Sequence, residues 1–204
     1  MAKMKDVVFI EQAKLALSKH TVYGSGAFGA SIGNFADQAD RYYDNTLNRC
    51  GKYEANKVKT EAAKPPCWAF DCVGLVKGIL WNWDAIPERI YGGAGYKANG
   101  IPDFSTNIIN DCSDVSTDFS KIVPGELLWL EGHVGIYIGD AQAIECTTAW
   151  TGNVLQSVVT NIRAAKTGER GRKWTKHGKL PYVEYAAPKL EIVCPCCGAR
   201  FIKE

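Results

Sequence analysis

The pattern of apolar positions predicts a buried helix that begins at a cysteine. After Cys72, the residues Val73, Val76 and Ile79 recur at helical spacing. Asp71 precedes the cysteine and is a favourable N-cap residue. A thiol in this position faces unpaired backbone N–H groups and the positive end of the helix dipole, so Cys72 is predicted to favour the thiolate form. The alternative is a buried, inert cysteine, since cysteine is among the most buried residue types.

Apolar runs broken by turn residues predict an antiparallel arrangement in the second half of the chain. The predicted strands are Glu126–Leu130, His133–Ile138 and Gln142–Cys146. His133 opens the middle strand directly after Gly132, and Glu145 lies late on the next strand. In an antiparallel pair, the start of one strand can lie beside the end of its neighbour. Because a carboxylate in an apolar strand is costly without a partner, His133 and Glu145 are predicted to lie within reach of each other.

The same patterns predict further elements elsewhere in the chain. The first helix is predicted to place Val7, Ile10, Ala13 and Leu17 on its buried face. In chain order the elements are this amphipathic helix at 6–18, a short helix at 35–47, a long surface loop at 81–102, a short helix within 103–123, and strands at 154–160 and 174–185.

A basic run covers residues 163–179, with Glu169 as the opposing charge. Its cations are Arg163, Lys166, Arg170, Arg172, Lys173, Lys176 and Lys179. Two interpretations are open: a solvated loop face, which is common for clustered charge, or a surface that attracts anionic polymers. His177 lies in this run and is predicted to be exposed.

Two motifs, in this order, resemble those of the NlpC-type cell-wall cysteine peptidases. They are Phe70-Asp-Cys-Val-Gly-Leu-Val76 and His133-Val-Gly-Ile-Tyr-Ile-Gly139, the second followed by a polar residue, Glu145, twelve positions after the histidine. The lead-in Pro124-Gly-Glu-Leu-Leu-Trp129 is similar to a strand of the same family, and the resemblance covers roughly residues 8–185. It is strongest toward phage endolysin-like members, although many relatives carry His where this chain has Glu145.

The resemblance implies an α+β, papain-like fold in which a helix-borne cysteine packs on an antiparallel sheet carrying His and Glu. It also implies hydrolysis of amide bonds in peptidoglycan stem peptides. Cys72 would be the nucleophile, His133 the base, and Glu145 the residue that orients the imidazole. The implied partner is bacterial cell-wall peptidoglycan, and no cofactor or catalytic metal is implied.

Four further residues are expected at the substrate or the oxyanion. Tyr23 matches a family tyrosine whose hydroxyl reaches the active site, where it would act as an oxyanion or substrate donor. Asp71 and Gly132 directly precede the cysteine and the histidine. Trp68 stands shortly before Cys72 and is predicted either to line the cleft or to pack in the core.

The chain is predicted to hold one peptidase domain and a short tail. The domain covers residues 1–187, with 34–66 as an insertion that forms a lid or one wall of the cleft. The tail, residues 188–204, carries Cys194 and Cys197 in a spacing similar to half of a zinc ribbon. A structural zinc normally takes four ligands, so even with Cys196 the site is short of one ligand and zinc binding stays open.

Composition fits a soluble enzyme and narrows the partners. The net charge of +2 over 204 residues is too small to argue for nucleic acid. Scattered cysteines predict free thiols and synthesis in a reducing cytoplasm. No signal peptide or membrane span is predicted, so the protein is expected to reach the wall through holin pores or lysis. It is expected to be a monomer.

Three other function classes stay open at this stage. An acyltransferase or amidase on the same scaffold would keep Cys72, His133 and Glu145. A non-catalytic wall-binding module would lack their geometry. A zinc-ribbon adaptor for nucleic acid would depend on the tail and on the basic run instead.

Overall fold

A computed structural model describes residues 3–186, 190–193 and 200–203 of the chain. The α-helices are α1 (Asp6–Ser18), α2 (Ala36–Cys50), α3 (Lys52–Ala62) and α4 (Cys72–Leu80). The strands are β1 (Met4–Lys5), β2 (Thr21–Tyr23), β3 (Phe28–Ser31), β4 (Trp68–Phe70), β5 (Ser113–Ser116), β6 (Leu127–Leu130), β7 (His133–Gly139), β8 (Gln142–Thr147), β9 (Asn153–Val159), β10 (Gly171–Arg172), β11 (Lys176–Lys179), β12 (Val183–Glu184), β13 (Leu190–Val193) and β14 (Arg200–Lys203).

The main sheet has seven strands in the order β10-β9-β8-β7-β6-β11-β5. Its central pairs, from β9 to β6, are antiparallel, as the turn residues between the predicted strands indicate. A smaller sheet has the order β2-β4-β3, and two further pairs, β1 with β12 and β13 with β14, form two-stranded sheets of their own. The predicted α+β class is confirmed, with the cysteine on a helix and His133 and Glu145 on an antiparallel sheet.

Helix α4 is the buried helix that the apolar pattern predicts. It packs on β7 and β8 of the main sheet and on β3 of the smaller one. Gly74 and Gly78 make the second contact possible, since a side chain at either position would collide with the carbonyl oxygens of Ala27 and Phe28. The two glycines therefore lower the helix propensity of α4 but let it lie directly against the backbone of the loop and strand beside it.

Helix α1 forms as predicted, but its buried face is different. Phe9, Ala13 and Ala16 are fully buried, whereas Val7 is 56% exposed. The core accepts the large ring of Phe9 and two small alanines, so the aromatic position decides which side of the helix faces inward.

Residues 34–66 form two helices, α2 and α3, where one short helix was predicted. Tyr42 of α2 and Val58 of α3 are buried in a cluster with Val22 and Ile32. The segment therefore packs firmly on the smaller sheet.

Two other regions depart from the predictions. Residues 81–102 are not a surface loop throughout, because Trp81 and Trp83 are buried and Trp81 Nε1 donates to the Ile101 carbonyl at 3.0 Å. His177 is 2% exposed, not solvent-facing, because its strand β11 lies inside the sheet between β6 and β5.

Residues 103–123 hold the 3₁₀ helices Thr106–Asp111 and Phe119–Lys121, with β5 between them, in place of one short helix. The single strand predicted at 174–185 is divided into β11 and β12.

Among the described residues, no helix combines the length and apolar character that a membrane span needs. The cysteines of the predicted zinc motif, Cys194, Cys196 and Cys197, lie outside the described residues.

Candidate active site

Cys72 is the first residue of α4, and Asp71 is its N-cap as predicted. The Asp71 carboxylate accepts from the Gly74 N–H at 2.5 Å and, with its other oxygen, from the Gly26 N–H at 2.7 Å. Burial raises the pKa of Asp71, and the two N–H donors partly oppose that rise. Asp71 thus holds the loop after Tyr23 against the start of the helix that carries the thiol.

Burial works against the thiolate form that the sequence predicts for Cys72. Burial, and then the nearby Asp71 carboxylate, raise the pKa of Cys72 to about 12. The backbone N–H groups of Val134, Val73 and Cys72 itself act in the opposite direction but do not outweigh burial. The thiol therefore needs a base to remove its proton before it can attack an electrophile.

His133 is the candidate for that base, since it directly precedes Val134, whose backbone N–H lies at the Cys72 sulfur. Its Nε2 lies 2.7 Å from Oε2 of Glu145, which confirms the predicted contact between the two side chains. A carboxylate accepts, so Nε2 carries the proton and Nδ1 holds the lone pair. Among the described residues Nδ1 has no hydrogen-bond partner, and the next backbone N–H, that of Val134, lies against the Cys72 sulfur.

Glu145 is itself fixed by a network that sequence reasoning missed. Ser157 Oγ donates to its Oε1 at 2.5 Å, and Arg172 Nε lies 2.7 Å from its Oε2. Burial raises the pKa of Glu145, but the bond to His133 and the charge of Arg172 outweigh it, so the pKa lies below its usual range. The carboxylate stays ionised although its side chain is fully buried.

Arg172 belonged to the run predicted as a solvated face or polymer-binding surface, but the structure turns it inward. Its guanidinium lies 4.6 Å from the ring centre of Trp150 and 5.6 Å from that of Trp174. Trp174 in turn stacks on His133 at 5.5 Å between ring centres, in a space that Gly135 leaves open. The buried Glu145 signalled the need for a partner cation, but nothing in the basic run singled out Arg172.

Tyr23 and Gly132 line the cleft that holds Cys72, whose volume is about 460 Å³. Burial raises the pKa of Tyr23, and the neighbouring Asp71 and Cys72 add to the rise, so its hydroxyl stays a donor. Gly132 occupies the turn before His133 with φ +75°, a conformation that favours glycine.

Trp68 lies in the core and not in the cleft wall. It is 3% exposed and packs edge-on against Trp83 at 6.0 Å between ring centres. Of its two predicted positions, the structure selects the packing one.

No family model matches the chain, and no curated protein matches it. Solved structures that are similar to it include the following two. One is the P60 domain of an antigen from M. avium subspecies paratuberculosis, with 17% identity and a TM-score of 0.43. The other is the peptidoglycan hydrolase RipB from Mycobacterium tuberculosis, with 18% identity and a TM-score of 0.43. Both alignments cover 86% of this chain, which spans 93% of the P60 domain and 64% of RipB.

Proposed function

We propose that this protein is a peptidoglycan hydrolase, a cysteine endopeptidase that cuts amide bonds of cell-wall stem peptides. The observation that carries the proposal is the contact between His133 and Glu145 beside the buried thiol of Cys72. The chemistry follows from these groups, while the choice of substrate comes from the resemblance of both motifs to the NlpC-type peptidases, in particular to phage endolysin-like members.

In the proposed first step, Nδ1 of His133 takes the proton of Cys72 as the sulfur attacks the scissile carbonyl. Because burial raises the pKa of Cys72 to about 12, proton removal and attack are expected to be coupled. The developing oxyanion is stabilised by the Cys72 backbone N–H and the Tyr23 hydroxyl. The imidazolium then protonates the leaving amine, and an acyl-enzyme remains on the sulfur.

In the second step, His133 activates a water molecule that attacks the thioester. The carboxyl product leaves, and the thiol recovers its proton. Glu145 keeps the imidazole in one tautomer and stabilises the imidazolium during both steps. Since the proposed substrate lies outside the cytoplasmic membrane, the proposal includes release through holin pores or lysis.

The experiment is digestion of purified cell walls, with mass spectrometry of the released muropeptides. Wild-type protein should release peptides that each gain one water per cleaved amide, whereas an acyltransferase would join the acyl group to another amine. Cys72→Ser should fold with an unchanged circular dichroism spectrum and lose release by at least about a hundred-fold.

Cys112→Ser is the matched control, since Cys112 is a partly buried thiol outside the cleft whose only hydrogen bond among the described residues goes to the Ile108 carbonyl. This variant should keep wild-type release. Wall digestion by Cys72→Ser at the wild-type rate would refute the proposed mechanism.

A further inference from the structure

A second cavity adjoins the cleft that holds Cys72. It has a volume of about 420 Å³ and shares Gly26 and Lys77 with that cleft. Helix α2 contributes an arginine to each: Arg41 lines the second cavity, and Arg49 lines the cleft. The two cavities share these wall residues, and together they are here named the α2 groove.

The two arginines are the uncompensated cations of the α2 groove. Both are exposed, and neither forms an ion pair within the described part of the chain. Lys77, by contrast, lies 2.7 Å from the Asp103 carboxylate. Asp71 in the cleft is already bound to two backbone N–H groups. The groove therefore presents two guanidinium groups that its own carboxylates, Asp71 and Asp103, do not bind in an ion pair.

Aromatic side chains hold one of these guanidinium groups in place. Arg41 Nη1 donates to the Tyr91 hydroxyl at 3.2 Å, and Tyr91 stacks on Phe28 at 4.5 Å between ring centres. A guanidinium fixed in this way loses less side-chain freedom when it binds a carboxylate through its planar fork. The aromatic faces beside it suit the aliphatic parts of a peptide.

The spacing of the two arginines along α2 indicates how long a peptide must be to reach both of them. Arg41 and Arg49 are eight residues apart (49 − 41). At about 1.5 Å of rise per residue, this places their backbones about 12 Å apart along the helix. An extended peptide covers that distance in about four residues. The α2 groove thus matches a short extended peptide that carries more than one carboxylate and enters the cleft at its Arg49 end.

We propose that the α2 groove is a recognition site for anionic peptides, in which Arg41 and Arg49 bind free carboxylates of the substrate. The identification of that peptide as a wall stem peptide rests on the proposed function. The binding itself depends only on the groove. The protein would accordingly discriminate stem peptides with free carboxylates from those in which the same groups are carboxamides.

The test measures binding in the absence of turnover. Full-length Cys72→Ala protein is titrated by calorimetry with a synthetic stem tetrapeptide with free carboxylates and with the same peptide in carboxamide form. The carboxylate peptide should bind at least about tenfold more tightly. Arg41→Gln and Arg49→Gln should each reduce that ratio several-fold, and Arg49→Lys should restore only part of it, since Lys keeps the charge but lacks the fork.

Lys173→Gln is the matched control, since Lys173 is an exposed cation that lines neither cavity. It should leave the ratio unchanged. Absence of binding, equal binding of the two peptides, or an unchanged ratio in both arginine variants would overturn the inference.

Turnover by the wild-type enzyme separates this inference from the proposed function. If wall peptides are hydrolysed and the two arginines have no effect, the proposed peptidase function is supported and recognition by the α2 groove is refuted. If the arginines make the protein prefer the carboxylate peptide over the carboxamide peptide but no peptide is hydrolysed, recognition by the α2 groove is supported and the peptidase function is refuted.

Discussion

At the scale of single residues, the environment of Glu145 explains how a buried carboxylate can serve a neighbouring histidine. Desolvation alone would favour its neutral form. Ser157 and Arg172 instead supply a donor and a charge, one from each of the next two strands, β9 and β10. The carboxylate therefore remains ionised and keeps one oxygen bound to the imidazole of His133.

Arg172 is predicted to be a positioning residue whose loss affects catalysis through Glu145. Arg172→Gln leaves a buried carboxylate without its cation, which costs about 3 kcal/mol of stability where a buried pair is broken. We expect kcat/KM to fall at least about tenfold, mainly in kcat, because Glu145 becomes easier to protonate and orients His133 less well. Steady-state kinetics with a soluble muropeptide and urea denaturation provide the two measurements.

The neighbouring substitution Lys173→Gln serves as the control, since it removes the same charge from an exposed position. A pH–rate profile adds a readout that simple destabilisation would not move. In Arg172→Gln the acidic limb should shift to higher pH, because the pKa of Glu145 rises when its cation is removed. An unshifted pH–rate profile would show that Arg172 contributes to the stability of the fold and does not act on catalysis through Glu145.

At the scale of elements, the spacing of apolar and turn residues correctly predicted those helices and strands whose partners lie close in sequence. Helix α4 and strands β6 to β8 form where spacing and turn residues indicate, because their partners are close in sequence. The contact between His133 and Glu145 followed from that hairpin.

Long-range packing accounts for the features that the sequence could not supply. Trp83 is buried because it packs against Phe70 of β4, and nothing in the glycine-rich segment around it signals that partner. Arg172 reaches Glu145 from β10, across 27 residues of sequence. The pKa of Cys72 is raised mainly by burial, and the depth to which α4 is buried cannot be predicted from the residues of α4 alone.

Strand β11 gives a stability prediction. His177 is buried in an ion pair with Glu126, which directly precedes β6, and its Nε2 lies 3.1 Å from the Asp118 carbonyl. Burial opposes the charged form, but these acceptors outweigh it and raise the pKa of His177. Because the pKa of His177 is higher in the folded than in the unfolded protein, the charged histidine stabilises the fold. This stabilisation is complete at pH values below the unfolded-state pKa, about 6.5, and is lost as the pH rises through the folded-state pKa.

The melting temperature of the wild-type protein should therefore fall as the pH rises above about 6.5, by about 2–4 °C for each kcal/mol lost. His177→Gln and Glu126→Gln should both start from a lower melting temperature and show a flatter pH dependence over the same interval. Differential scanning calorimetry from pH 6 to 9 provides the measurement. Equal pH dependence in all three proteins would show that this pair does not titrate as described.

At the scale of the whole molecule, the cleft lies where independent parts of the fold meet. Helix α4 supplies Cys72 to the cleft, the turn before β7 supplies Gly132, and the smaller sheet supplies Tyr23. The main sheet carries His133 and Glu145. Helix α2, from the segment predicted as an insertion, supplies the cations of the α2 groove. The proposed chemistry and the proposed recognition therefore use different elements, and the variants above can separate them.

The central claim is that Cys72 forms a covalent acyl intermediate with the help of His133. The direct measurement is intact-protein mass spectrometry, followed by peptide mapping, after rapid mixing with a stem peptide carrying an activated ester at the scissile position. One acyl group should appear on Cys72 in the wild-type protein and none in Cys72→Ala, and acylation should be at least about a hundred-fold slower in His133→Ala. Product formation without an adduct on Cys72, or an adduct on another cysteine, would contradict the account.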